Sequence, residues 1–137
     1  MTKGLKPKRV TRNVGMNPIA RAVAREHLRK AIVEFKIKLY MMGEGEPCEE
    51  FLTPLHAVLN SLATAAGRDP AVGADCYEVR IMRGALSACA QMIENNSYRR
   101  INTTTLDVGL DCAAELNKRV DPELFNRVWA ELVGGAG

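Results

Sequence analysis

Apolar residues recur at helical spacing in five separate stretches of the chain, and the first stretch covers residues 17–42. Asn17 and Pro18 predict where this helix begins, because Asn caps a helix and Pro fits its first turn. Gly43 predicts where it ends. Its apolar stripe consists of Ala20, Ala24, Leu28, Ala31, Ile32, Phe35, Leu39 and Met42.

The second and third helices are expected over residues 47–66 and 75–94. Pro54 interrupts the second, which predicts either a helix that begins at Thr53 and Pro54 or one helix with a kink. The third has the widest apolar seam, so we expect it to be the most enclosed helix.

The fourth and fifth helices are expected to start at Thr104 and Asp121. Thr104 and Asp107 form a near capping box, and Pro122 follows Asp121 as a first helical residue. Leu132 is expected to pack inside with the rest of the fifth helix.

No segment alternates apolar and polar residues for long enough to predict a sheet. The predicted fold class is therefore all-α: a compact bundle of about five helices with a basic N-terminal arm. Residues 1–16 form the flexible arm, residues 17–134 a single helical domain, and residues 135–137 a flexible tail.

The composition is typical of a folded, soluble protein, since 47% of residues are hydrophobic and 26% are charged. No apolar run is long enough to span a bilayer, so no membrane association is expected. The four cysteines show no C-x-x-C pair, so we expect reduced thiols, no metal site and a cytoplasmic location.

Charge is sorted along the chain. Residues 1–42 hold eleven Lys or Arg against two acids, a balance of +9, whereas the other 95 residues hold eight basic and fourteen acidic side chains, a balance of −6. Such asymmetry bears on partners and association rather than on fold.

The candidate contact residues for nucleic acid or another partner are cations of the arm, the first helix and a later loop. On the first helix, three of them flank the apolar stripe within an arc of about 40°. For the arm and first helix three interpretations stay open: a solvated face, a phosphate backbone, or an acidic protein surface. For Arg99 and Arg100 the alternative to phosphate contact is that they are cations at the end of a helix, favoured by its dipole. The candidates are Lys6, Lys8, Arg9, Arg12, Arg25, Arg29, Lys36, Arg99 and Arg100.

Two clusters of acidic residues could form ion pairs with these cations. Asp107, Asp111 and Glu115 recur every four residues and form a stripe on the fourth helix. We expect them to pair with basic groups, either in the same chain or in a second copy. The second group is Glu44, Glu46, Glu49 and Glu50.

Catalytic signals are sparse. There is no phosphate-binding loop, no dinucleotide fingerprint and no serine nucleophile motif. Cys48 and His56 are the one conceivable nucleophile pair. We therefore expect no enzyme, no catalytic residues, no cofactor and no small-molecule substrate.

The stretch MNPIARAVAR at Met16–Arg25 resembles the start of small all-helical proteins of unknown function from tailed bacteriophages. The resemblance implies a protein that binds host machinery, such as RNA polymerase or a nucleic-acid-targeting defence complex. It transfers no functional residue.

The leading hypothesis is a non-catalytic binding or regulatory protein, with a phage-encoded inhibitor of host machinery as one form of it. Its basic arm and first helix would engage nucleic acid or a nucleic-acid-handling protein complex. The alternative is a homo-oligomeric structural or adaptor protein, such as a homodimer, in which the arm docks on the acidic helices of a neighbouring copy.

Overall fold

The computed structural model describes residues 15–42, 49–94 and 103–134. In these ranges it contains helices and no strand, so the all-α prediction is confirmed. After α5 the chain makes one π-helical turn, Ala130–Gly134. The helices are α1 (Pro18–Met42), α2 (Glu49–Arg68), α3 (Tyr77–Glu94), α4 (Thr103–Asn117) and α5 (Pro122–Trp129).

The predicted starts of α1 and α5 are confirmed by their side-chain caps. Asn17 Oδ1 accepts a hydrogen bond from the Ala20 N–H at 2.8 Å. Asp121 Oδ1 accepts one from the Glu123 N–H at 3.1 Å. Each cap satisfies a backbone donor that has no partner within its own helix.

Three local predictions need correction or are resolved. α2 runs through Pro54 as one continuous helix, because the proline lies in an early turn where Glu50 and Pro54 are exposed and the freed carbonyl can meet water. α4 includes Thr104, so that residue is not the cap. Leu132 is exposed rather than packed inside, because α5 ends before it and the following turn lies at the surface.

The most enclosed helix is α2, so the prediction that the third helix holds this place is wrong. α2 packs against α3, α4 and α5, and ten of its residues are buried, against six in α3. Small buried residues such as Ala63 and Ala66 let its neighbours approach closely. α3 instead exposes one side, which includes Arg80 and Arg83.

α3 and α4 approach each other closely at Gly109. A Cβ atom placed on Gly109 would lie 2.5 Å from the Cβ of Ala85, and both residues are buried. The missing side chain is therefore what allows these two helices to pack at this distance.

Replacing Gly109 tests this close approach. We expect Gly109→Ala to lower the free energy of unfolding by about 1–3 kcal/mol, because the added methyl group overpacks the α3–α4 contact. Gly84→Ala is the matched control: it is an exposed helical glycine with open space around it, and the change should stabilise by about 0.5–1 kcal/mol. Urea unfolding measures both, and two changes of the same sign would contradict the packing argument.

Candidate partner-binding site

The sequence-predicted site residues divide into those that the structure describes and those that it does not. Six lie on α1 and α4: Arg25, Arg29, Lys36, Asp107, Asp111 and Glu115. The others lie outside the described residues: Lys6, Lys8, Arg9, Arg12, Arg99 and Arg100. Glu44 and Glu46 of the second acidic group also lie outside, whereas Glu49 and Glu50 are exposed at the start of α2.

Arg25 faces the end of α4. Its Nε donates to the Asn117 carbonyl at 3.2 Å, and a terminal nitrogen donates to the Val120 carbonyl at 3.2 Å. Asn117 Nδ2 donates in return to the Arg25 carbonyl at 2.9 Å. The last carbonyls of a helix lack intrahelical partners and attract positive charge, so Arg25 fastens α1 to the last residue of α4 and to the turn that follows it.

Arg29 pairs with Glu26 on the exposed surface of α1. Its two donor nitrogens lie 2.8 and 2.6 Å from the two carboxylate oxygens. The hydrogen bonds from Arg29 lower the pKa of Glu26, and those to Glu26 raise the pKa of Arg29. Arg29 therefore has an acidic partner one turn away on its own helix.

Lys36 bridges α1 and α4. Its Nζ contacts the carboxylate of Asp111 and lies 3.3 Å from Asp107 Oδ1. The hydrogen bond to Asp111, followed by that to Asp107, raises the pKa of Lys36 against the opposing effect of burial. Glu115 pairs with Lys118 at 3.2 Å. The acidic stripe of α4 is thus paired with cations of its own chain.

A polar cluster at the start of α1 is absent from the sequence predictions. The Arg21 guanidinium contacts Asp121 and lies 3.4 Å from Glu123 Oε1. The same Glu123 oxygen accepts from the Met16 N–H at 3.2 Å, and Asp69 Oδ2 accepts from the Asp121 N–H at 3.0 Å. These contacts join α1, the α2–α3 loop and the start of α5. The capping role of Asp121 was the one signal that pointed to this place.

α1 also carries a second apolar surface that faces away from the bundle. Only Ile32 and Leu39 of its 25 residues are buried. We call its exposed apolar surface the outer face, and its members are Ile19, Val23, Val33, Ile37, Tyr40 and Met41.

The outer face runs along one side of α1 but is interrupted in the middle by two charged residues. Its residues fall within an arc of about 100° on the side of α1 opposite Ile32 and Leu39. Glu26 and Lys30 lie between its two halves. Ile19, Tyr40 and Met41 are 77%, 84% and 73% exposed. Six of the ten exposed large hydrophobic residues in the described ranges belong to it, so exposed apolar side chains are concentrated on this helix.

The sequence analysis missed the outer face because it considered only one apolar stripe of α1. A helix that packs on one side needs apolar residues on one face only, and the remainder should be polar. α1 carries apolar residues on both sides, and the spacing of Val33, Ile37, Tyr40 and Met41 would have shown the second set.

The described residues contain no cluster of three or more His, Cys, Asp or Glu that could hold a metal ion. Cys76, Cys89 and Cys112 are free thiols, and burial raises the pKa of Cys89 to about 11. Cys48 of the conceivable nucleophile pair lies outside the described residues, and His56 is half-buried on α2.

Within the described ranges, no helix combines the length and apolar character needed to cross a membrane. No protein-family model matches the chain, and neither a curated protein nor a solved structure matches it.

The structural role of Arg25 can be separated from that of an exposed cation. We expect Arg25→Met to lower the free energy of unfolding by about 1–3 kcal/mol, because the carbonyls of Asn117 and Val120 lose a charged donor. Arg29→Met, on the same helix, should leave the urea midpoint unchanged, because its partner among the described residues is an exposed glutamate. Equal shifts of the two midpoints would show that Arg25 does not fasten α1.

Proposed function

We propose that this protein is a non-catalytic binding protein that docks on a protein partner through the outer face of α1. The observation that carries the proposal is the concentration of exposed apolar side chains on this one helix. Exposed apolar surface that gathers in one place is typical of interaction sites, whereas scattered apolar residues are ordinary.

A protein partner fits α1 better than nucleic acid does. Phosphate backbones are bound by cations, and three cations predicted for that purpose have partners within the chain: Arg25 at α4, Arg29 at Glu26 and Lys36 at Asp107 and Asp111. The outer face offers one aromatic ring, Tyr40, for base stacking. Its aliphatic residues instead suit an apolar groove.

The proposed partner surface is an apolar groove with acidic residues at its rim. A helix that binds in a groove presents anchors three and four residues apart, which is the spacing of Val33, Ile37, Tyr40 and Met41. Lys30 and Lys38 are exposed beside these anchors. The five arm cations precede the same helix in the chain: Lys3, Lys6, Lys8, Arg9 and Arg12.

A component of a nucleic-acid-handling complex is the partner class that we favour. The resemblance of Met16–Arg25 to tailed-phage proteins would make that complex part of host machinery and the protein an inhibitor. The association of the arm with acidic surfaces would raise the encounter rate and make it sensitive to salt.

The homo-oligomer hypothesis has less support. It requires acidic helices that await the arm of a second copy, but Lys36 contacts Asp107 and Asp111, and Lys118 contacts Glu115, in the same chain. Fewer carboxylates are left to attract a neighbouring arm.

Site-specific photo-crosslinking tests the outer face. Benzoylphenylalanine replaces Tyr40, which is 84% exposed on the outer face, or Tyr77, which is 63% exposed at the start of α3. In lysate from cells that naturally contain the protein, we expect a nuclease-resistant protein adduct at position 40 and none at position 77. Ile37→Lys should abolish the adduct, whereas Val108→Lys, a change of an exposed valine on α4, should not.

Three results would contradict this proposal. An adduct that nuclease destroys would identify nucleic acid as the partner, and an adduct of twice the protein's mass would identify a second copy. Equal crosslinking at positions 40 and 77 would show that the outer face has no special role.

The arm has a separate test with the captured partner. Replacing Lys3, Lys6, Lys8, Arg9 and Arg12 by Gln should reduce the association rate by about tenfold or more at low salt and flatten its salt dependence. The thermal melt should be unchanged, because the arm is not expected to contribute to the core. Surface plasmon resonance over a salt series measures the association rate. An unaltered rate would show that the arm takes no part in binding.

A further inference from the structure

Five residues of the outer face and the two charged residues between them follow a regular period along α1. They are separated by alternating steps of four and three residues, which is the spacing of the contact positions of a coiled coil. All are exposed, on the side of the helix opposite its two buried residues. We call these positions the heptad row, and its members are Ile19, Val23, Glu26, Lys30, Val33, Ile37 and Tyr40.

The heptad row is symmetric about its centre, which is residue 28. The residues two, five and nine positions before and after that centre form pairs that are either identical or opposite in charge. An α1 helix that met a second copy of itself in the antiparallel direction, about a two-fold axis at this centre, would bring the members of each pair together. The pairs are Glu26 with Lys30, Val23 with Val33, and Ile19 with Ile37.

The charges in the heptad row distinguish the antiparallel arrangement from the parallel one. In the antiparallel arrangement, Glu26 of each copy faces Lys30 of the other, and the two-fold axis makes this contact twice. In a parallel arrangement in register, each charged residue would face its own like, which is strongly unfavourable at an interface. Polar residues at contact positions also fix the register of a coiled coil.

The ion pair that Glu26 makes within its own chain is compatible with this contact. Arg29 donates to both carboxylate oxygens of Glu26. A carboxylate offers about four acceptor positions, so Lys30 of a second copy can donate to Glu26 as well. Both charged residues are exposed and can be reached from outside the bundle.

We propose that two copies of this protein form an antiparallel dimer through the heptad rows of their α1 helices. The apolar side chains that are exposed in one chain then pack between the copies. The contact uses neither the arm nor the acidic stripe of α4, so it differs from the homo-oligomer considered above. It involves one helix of each copy, and contacts that bury little surface are typical of weak, transient complexes.

The regulatory consequence of this dimer rests on the proposed function, whereas the dimer itself does not. A partner and a second copy cannot occupy one outer face at the same time. The dimer therefore withholds the binding surface when the protein is in excess over its partner. In dilute lysate the weak dimer dissociates by mass action and the outer face is free.

Sedimentation equilibrium of the purified full-length protein tests the dimer. From low to high micromolar concentration, the mass should rise from that of one chain toward that of two. Glu26→Lys and Lys30→Glu should each raise the dissociation constant about tenfold or more, because each places like charges opposite one another twice. An equal mixture of the two variants should dimerise again, since every charge then faces its opposite.

The matched control is Glu94→Lys, which makes the same charge change at an exposed position of α3. It should leave the dissociation constant unchanged. Circular dichroism checks that each variant is folded. If Glu26→Lys does not fold, Lys30→Glu and the unaltered protein still decide.

Cysteine crosslinking determines the orientation of the two helices. Val23→Cys and Val33→Cys should form a disulfide-linked dimer when they are mixed, and neither should do so alone. A parallel contact would instead link each variant to itself. The unaltered protein, which has four cysteines of its own, gives the background.

Three results would overturn the dimer. The first is a mass of one chain at every concentration, and the second is an equal effect of Glu26→Lys and Glu94→Lys. The third is disulfide formation by either cysteine variant alone.

Failure of the proposed function is a different result. If the purified protein dimerises but position 40 yields no adduct with another protein in dilute lysate, the dimer stands and the partner does not. A protein that stays monomeric and still yields that adduct shows the reverse.

Discussion

The narrow contact that α1 makes with the core governs how this molecule is built. α1 is the longest helix, with 25 residues, yet only Ile32 and Leu39 are buried. Apolar burial of two side chains is a small share of what holds the bundle together, because α2 alone buries ten residues. Leu28, Phe35 and Met42 are partly buried against the core, so α1 is attached by these apolar contacts together with polar contacts along its edges, and its far side stays open.

The polar contacts of α1 show that part of the charge asymmetry of the sequence is used for ion pairs within the molecule. The basic first third of the chain meets the acidic remainder within the same molecule: Arg21 contacts Asp121 and Glu123, and Lys36 contacts Asp107 and Asp111. Exposed ion pairs of this kind contribute little individually. Arg25 differs because it donates to main-chain carbonyls of the last residue of α4 and of the turn after it. Cations that suggested a partner surface are thus partly engaged in holding α1.

The two sides of α1 have different consequences for function. Its outer face presents aliphatic residues and Tyr40 to the surroundings, which suits a protein groove. Its inner side presents Ala24 and Ala31, whose small volume leaves a cavity beside Trp129 and the buried amide of Asn117. One helix therefore separates a candidate protein-binding surface from a cavity on the inner side of the bundle.

The sequence by itself determined the fold class and much of the helix layout. Caps and stops act within a few residues, so Asn17 and Asp121 could be read directly, and both cap their helices in the structure. Helical periodicity also identified the inner stripe of α1, including Ile32 and Leu39. The candidate site was predicted only in part: α1 was named, but through its cations rather than through its outer face.

The tertiary structure decided which of the available residues are used and for what. Arg21 and Asp121 lie 100 positions apart, and Arg25 lies 92 positions from Asn117, so no local pattern could pair them. No local pattern could show the role of Gly109 either, because a glycine is needed there only where α4 approaches Ala85 of α3. Whether an apolar residue of α1 faces the core or the surroundings depends on where α2, α4 and α5 pack. The sequence supplied two apolar faces, and packing buried only one of them.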